Sequence, residues 1–269
     1  MTMSIDVVGP TSLGTGTTKT LIGGGNLVLP GWARSIVAII PTVSIAVPTA
    51  AQSVITKVSL ESDDFTVGPF EVPAAPLGSF LGALSNPGLA KAERYLVNCP
   101  VNGGDQLKIY GQALVLNTGA PSMSVAVVVS DQPPGGSQRF AKMGVLTATG
   151  LVASTEVAGT LYSFSKARRI VELLAVVAPT TVAAAEDIHG HIRYSSSEFE
   201  YAGPLKLPYN PVIAGLGATT INTIIDGVSR APVDFPIKAG TSQTNIQDYF
   251  TMNGTLAVAG YFVTGVIFE

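Results

Sequence analysis

The sequence predicts an all-β chain folded as two similar sandwiches in tandem, and three observations carry that expectation. First, landmarks recur at close to half the chain length. Ala33-Arg34-Ser35-Ile36-Val37 returns 134 positions later as Ala167-Arg168-Arg169-Ile170-Val171. Gly68-Pro69-Phe70-Glu71-Val72-Pro73 returns 135 positions later as Gly203-Pro204-Leu205-Lys206-Leu207-Pro208. Leu81-Gly82-Ala83 and Leu216-Gly217-Ala218 keep the same offset, as do Asn117-Thr118-Gly119 and Met252-Asn253-Gly254. Second, short runs rich in Val, Ile, Thr, Phe and Tyr alternate with Gly, Pro, Asn and Ser clusters, and helical periodicity is scarce. Third, the strongest breaker, Pro133-Pro134-Gly135-Gly136, falls at the midpoint. The units are therefore expected at 1–133 and 134–269, side by side because the connection is too short to be a loose tether.

In the first unit, Met3–Val8 reads as a leading strand. Strands follow near Leu21–Leu29, Ser35–Thr42, Ser53–Leu60, Phe65–Val72, Arg94–Cys99, Gln106–Leu116 and Ser122–Val129. In the second they fall near Val145–Val152, Thr160–Phe164, Arg169–Val177, Ile188–Tyr194, Glu198–Leu207, Ala231–Ile237, Asp248–Thr251 and Thr255–Phe268. Gly68-Pro69 and Gly203-Pro204 are read as matched turns or bends, because proline cannot donate to a strand ladder and glycine permits unusual φ. Pro73 and Pro208 are read as the stops that follow. Two long connections come next, with short helices expected at Leu89–Arg94 and Ala218–Val228.

Composition narrows the function classes. Hydrophobic residues make up 46% of the 269, enough for a large core, while charged residues make up only 12%, about half the roughly 25% of soluble domains. Much of the surface is thus expected to be covered by partners or lipid. The net charge of −3 is spread evenly, and the densest basic spot is Lys166-Ala167-Arg168-Arg169. No clustered basic footprint for direct nucleic-acid binding is present. The single cysteine, Cys99, excludes an intrachain disulfide and reads as a small core residue. The start, Met1-Thr2-Met3-Ser4-Ile5-Asp6, shows no signal-peptide pattern. The uncharged run from Ser35 to Thr56 is long enough to cross a bilayer. Pro41, Pro48 and its β-branched content favour two short strands joined by a turn.

Chemical motifs are sparse. His189 and His191, the only histidines, share one strand face and resemble half of the cupin metal motif. A catalytic metal wants three protein ligands, and the rest of that pattern is missing, so strand histidines at a surface are the expectation. Gly14-Thr15-Gly16 and Gly23-Gly24-Gly25 lack the Lys-Ser/Thr partner of a phosphate loop. Asp63-Asp64 and the Glu198/Glu200 pair read as solvated turn residues, and Trp32 as packing. No catalytic set and no cofactor are expected.

Two fused sandwiches of about eight strands, low in charge, resemble the double jelly-roll. By duplication, strand count and size across the whole chain, the sequence is similar to the major capsid proteins of tailless icosahedral viruses. The resemblance implies a structural, non-enzymatic shell protein located in the virion. It implies pseudo-hexameric homotrimers that tile an icosahedral lattice. Its implied partners are the chain itself, other capsid or vertex proteins and an internal membrane, with no direct nucleic-acid contact. Two other readings compete: a non-viral surface-lattice or fibre protein, and a cupin-like or glycan-binding β-sandwich, which a stoichiometric metal lost on replacing both histidines would revive.

Overall fold

A computed structural model describes residues 2–44, 56–63, 70–74, 93–114, 120–148, 152–165, 167–179, 190–200, 205–209, 228–252 and 260–269. Among them the first half holds β1 (Met3–Ser12), β2 (Thr20–Leu21), β3 (Leu27–Val28), β4 (Ser35–Ser44), β5 (Thr56–Glu61), β6 (Phe70–Ala74), β7 (Tyr95–Pro100), β8 (Gln106–Ala113) and β9 (Ser122–Ser130). The second half holds β10 (Phe140–Ala148), β11 (Glu156–Ser165), β12 (Arg169–Pro179), β13 (Gly190–Ser195), β14 (Leu205–Tyr209), β15 (Ser229–Pro236), β16 (Gln243–Met252) and β17 (Gly260–Phe268). The only helical turn among the described residues is a 3-10 turn at Ile22–Gly24, which splits the strand expected over Leu21–Leu29 into β2 and β3. Of the helices expected at Leu89–Arg94 and Ala218–Val228, residues 89–92 and 218–227 lie outside the described residues, and Glu93, Arg94 and Val228 are not helical.

Strand order establishes the double jelly-roll. In the first half, β1-β9-β4-β7 form one sheet, and β2-β8-β5-β6 run consecutively in another. In the second half, β10-β17-β12-β15 run consecutively in one sheet and β11-β16-β13-β14 form the other. Each half thus sets its first, eighth, third and sixth strands in one sheet and its second, seventh, fourth and fifth in the other, when β2 and β3 are counted as one broken strand. This double Greek-key order is that of a jelly roll.

The repeated sequence anchors make the same backbone tie in both halves. The Arg34 amide donates to Ser130 O at 2.8 Å, and Arg34 O accepts from the Val101 amide at 3.0 Å. The Arg168 amide donates to Glu269 O at 2.7 Å, and Arg168 O accepts from the Ile237 amide at 2.9 Å. Each anchor also opens a bulge, between Ile36 and Ala38 in β4 and between Ile170 and Glu172 in β12. The repeat therefore specifies where the third strand enters its sheet and how it kinks there.

The two jelly-rolls are joined by more than a linker. Phe70 of β6 pairs in parallel with Ala141 of β10, so a sheet of the first half runs edge to edge into a sheet of the second. Within that joined sheet, β12 and β17 are buried on both faces. Leu173, Ala175, Phe262 and Val266 enter the core of the second sandwich. Leu174, Val176, Val263 and Ile267 instead join the core of the first. This is why Arg169–Pro179 reads as a near-continuous apolar run and not an alternating one. Burying the latter four side chains contributes up to about 6–12 kcal/mol at ~1.5–3 each, which is of the size of a whole domain's net stability. The connecting residues are pinned too: the Arg139 amide bonds Val97 O at 2.9 Å.

The turn predictions need correction at the prolines. Pro73 and Pro208 are the next-to-last residues of β6 and β14, paired opposite Lys57 and His191, and do not form turns. β14 is an edge strand, and β6 meets its second neighbour only at Phe70, so neither proline owes the outer side a hydrogen bond. Gly68, Pro69, Gly203 and Pro204 lie outside the described residues. In the second half β10 begins at Phe140, earlier than the expected Val145, and β16 begins at Gln243, not Asp248. Of the uncharged run at Ser35–Thr56, the described parts are β4 and the first residue of β5. No helix among the described residues is long and apolar enough to cross a membrane.

Phe70, fully buried at the seam, tests the joint. Phe70→Ala is expected to cost about 3–5 kcal/mol, read as a lower urea midpoint by far-UV circular dichroism. A loss below about 1 kcal/mol would show that Phe70 is not a packed part of the first core at the seam.

Candidate functional site

Of the two histidines, His191 alone is among the described residues. His191 is half-buried on β13, opposite Thr251 of β16 and Pro208 of β14; His189 lies outside the described residues. Two positions along the same strand face, Arg193 binds Glu156 through Nε at 2.7 Å and Nη2 at 2.6 Å and stacks 3.9 Å from the Tyr249 ring centroid. The bidentate bond from Arg193 holds the Glu156 carboxyl below its usual range, with smaller help from the His191 and Lys206 charges. Among the described residues no group of three or more His, Cys, Asp or Glu side chains is arranged to hold a metal ion. Cys99 is in the first core, with the Gln138 side chain 3.4 Å from its sulfur. Trp32 is exposed in a turn before β4.

A buried polar cluster crosses the second sandwich. β16 alternates Thr244, Ile246, Asp248, Phe250 and Met252 on its inner face, all buried. From the facing sheet, Thr264 Oγ1 of β17 donates to Asp248 Oδ2 at 2.5 Å. With its one proton so used, Thr264 accepts from Tyr162 OH of β11. The Thr160 amide donates to Asp248 Oδ1. β11 bulges between Ala158 and Leu161, and Gly159 makes room there: a Cβ would come within 2.3 Å of the Asp248 carboxylate. Burial raises the Asp248 pKa to about 6, against the hydrogen bonds, which lower it. Asp248, Thr264 and Tyr162 are thus hydrogen-bonded to one another and closed to solvent. The sequence signal was available: an Asp at the buried phase of an alternating strand.

A second polar assembly joins the two jelly-rolls. Arg230 of β15 donates from Nε to Glu172 Oε1 at 2.6 Å and from Nη1 to Glu93 Oε2 at 3.1 Å. Nη1 also donates to Arg94 O at 2.7 Å, and the guanidinium lies 4.7 Å from the Tyr95 ring centroid. Burial alone would lower the Arg230 pKa, but the bond to Glu172 dominates among the opposing effects and the net shift is upward. Glu93 and Tyr95 belong to the first half, Glu172 and Arg230 to the second, so this arginine ties them. Beside it opens a cleft of about 550 Å3 whose lining includes Leu96, Glu172 and Arg230. The sequence reading missed this cleft, because its residues come from β7, β12, β15 and the connection and share no local motif.

The remaining surface feature is apolar. On the outer face of the first sandwich, Ile5, Val128 and Ala38 lie in one row across β1, β9 and β4, and Val7, Ala126 and Ile40 in the next. Met3, Ile5 and Val7 are 47%, 62% and 66% exposed. The outward positions of these three strands carry no charged side chain.

No family of known proteins matches the chain, and no curated protein matches it. Solved structures resemble it over its whole length. The major capsid protein P2 of bacteriophage PM2 has 9% identity over 100% of this chain and 98% of that one, with a TM-score of 0.42. The STIV major capsid protein has 10% identity over 100% and 97%, with a TM-score of 0.43. PNGase F, a glycosylasparaginase from Flavobacterium meningosepticum, has 12% identity over 100% and 96%, with a TM-score of 0.47. Likenesses this distant concern the path of the chain, and the proteins named differ in what they do.

Asp248 gives a pH test. Between about pH 4, where the unfolded carboxyl titrates, and about 6, the folded chain holds a proton that the unfolded chain has released. Stability from this group is full below about pH 4 and is lost as pH rises through about 6. Asp248→Asn keeps an acceptor for Thr160 and removes the titration. Urea unfolding at pH 4.5 and pH 7 is expected to show the wild type losing about 2 kcal/mol more than the variant.

Proposed function

We propose that this chain is a structural protein, a viral major capsid protein whose double jelly-roll assembles into homotrimers and then into an icosahedral shell. One observation carries the reading: two jelly-rolls welded through a shared sheet leave a charge-free outer face bearing Met3, Ile5 and Val7. Exposed apolar patches of that kind mark contact surfaces. A three-fold contact between two-barrel molecules sets six similar barrels around an axis, a block that tiles a surface while the chain itself needs only three-fold symmetry. Interfaces of obligate assemblies bury on the order of 2,000–5,000 Å2 and are apolar, which fits a chain with 12% charged residues. In this reading the chain resides in the virion and meets other shell or vertex proteins and an underlying membrane, without gripping the genome directly.

Sedimentation velocity and negative-stain electron microscopy of purified protein test the proposal. Trimers, or shells built of them, are the expected result. The pair Ile5→Lys and Val7→Lys is expected to release monomers with an unchanged far-UV spectrum. A wild type that stays monomeric at high concentration overturns the reading.

A further inference from the structure

The seam inside the chain has an unfilled counterpart on each jelly-roll. The bulges align the two units residue by residue. Ile36 pairs with Val129 before the first bulge, and Ile170 with Phe268 before the second. Val128 and Ile267 therefore hold the same place, and so do the residues opposite them, Ile5 of β1 and Ala141 of β10. Val7 and Met143 match two residues on, opposite Ala126 and Gly265. Across the seam, the Gly-Pro repeat runs directly into Phe70 of β6 and Leu205 of β14, which also match. The internal seam uses one half of each matched pair: Phe70 lies in parallel register with Ala141. Ala141 is left only 1% exposed, and Met143 packs on the first core.

The other half of each pair is open. β1 ends one sheet and β14 ends another, and among the described residues each has a strand neighbour on one side only. Ile5 and Val7, in the places of Ala141 and Met143, are 62% and 66% exposed. An edge strand beside a bare apolar face is a template for another strand. Lysine and proline blunt such edges, and β14 carries Lys206 and Pro208. Yet β6 carries Glu71 and Pro73 at the same two places and still makes its seam. The flanking charges agree as well. Lys142 and Glu71 follow Ala141 and Phe70, while Asp6 and Lys206 follow Ile5 and Leu205, so each junction has one acid and one base next in register. Both open edges fit a second copy of the chain, each being half of a junction that the chain already makes.

We propose that β14 of one copy pairs in parallel with β1 of the next, Leu205 opposite Ile5, and that the neighbour covers Ile5 and Val7 as the first unit covers Ala141 and Met143. The contact is head to tail, since each copy offers β14 on one side and β1 on the other. Contacts of this kind close into a ring when the rotation between copies allows it. The proposal rests on the homotrimer reading and adds which edges meet and in what register.

Cysteine pairs in the full chain test the register. Cys99 is 2% exposed, so the wild type serves as the control that does not cross-link. Ile5→Cys and Leu205→Cys are made singly and together, then oxidised or treated with a short bismaleimide. Neither single variant is expected to cross-link with itself. Co-expressed, the two single variants are expected to give a band of twice the chain mass, and the double variant a covalent ring of three chains. Should Leu205→Cys fail to fold, Lys206→Cys, at an exposed position, is expected to cross-link to Asp6→Cys one step along the same register. Trimers by sedimentation velocity without either cross-link would overturn the edge assignment and leave the homotrimer standing. Cross-linking of Ile5→Cys alone, the mark of a two-fold contact, would also overturn it. A wild type that stays monomeric, with or without phosphatidylcholine vesicles bound to it, would overturn both.

Discussion

The fold depends on two neighbouring strands, β12 and β17, that have no solvent side. β12 and β17 press Phe262 and Leu173 into one core and Val263 and Leu174 into the other. A strand in that position cannot alternate apolar with charged residues, because neither phase reaches water. The one buried charge on β12, Glu172, is accordingly held by Arg230, which reaches across to Glu93 of the other half. Removing one member of such a pair would strand the other in a poorly hydrated site, which is costlier than never having placed it there. The scarcity of charge in the composition thus has an internal cause, in addition to the outer face of β1, β9 and β4.

Much of this architecture was legible in the sequence. The Ala-Arg-x-Ile-Val repeat was visible as text, and the structure gives it a physical meaning: the arginine backbone ties three strands, and a bulge opens at the valine three residues on. The jelly-roll assignment followed from strand count and duplication. The prolines were misread because a stop and an edge position look alike in one dimension; only the pairing partner, Lys57 or His191, tells them apart. β10 was placed late because Phe140-Ala141-Lys142-Met143-Gly144 contains a glycine and a lysine that suggest a loop. In the fold, Gly144 is the place where Thr160 packs against the backbone, within about 2.2 Å of where a Cβ would stand.

The polar features were harder to read because they are assembled from distant segments. Asp248, Thr264 and Tyr162 are separated by 16 and 102 positions along the contacts they make. Each could be marked only as a polar residue at an apolar phase.

The shared sheet has a mechanical corollary. When two barrels are joined by a strand pairing, a common core and a cross-bridging arginine, the described residues offer no hinge between them. Any curvature in a structure built from such molecules must then be accommodated between chains, at their outer contacts, while each chain behaves as a stiff tile.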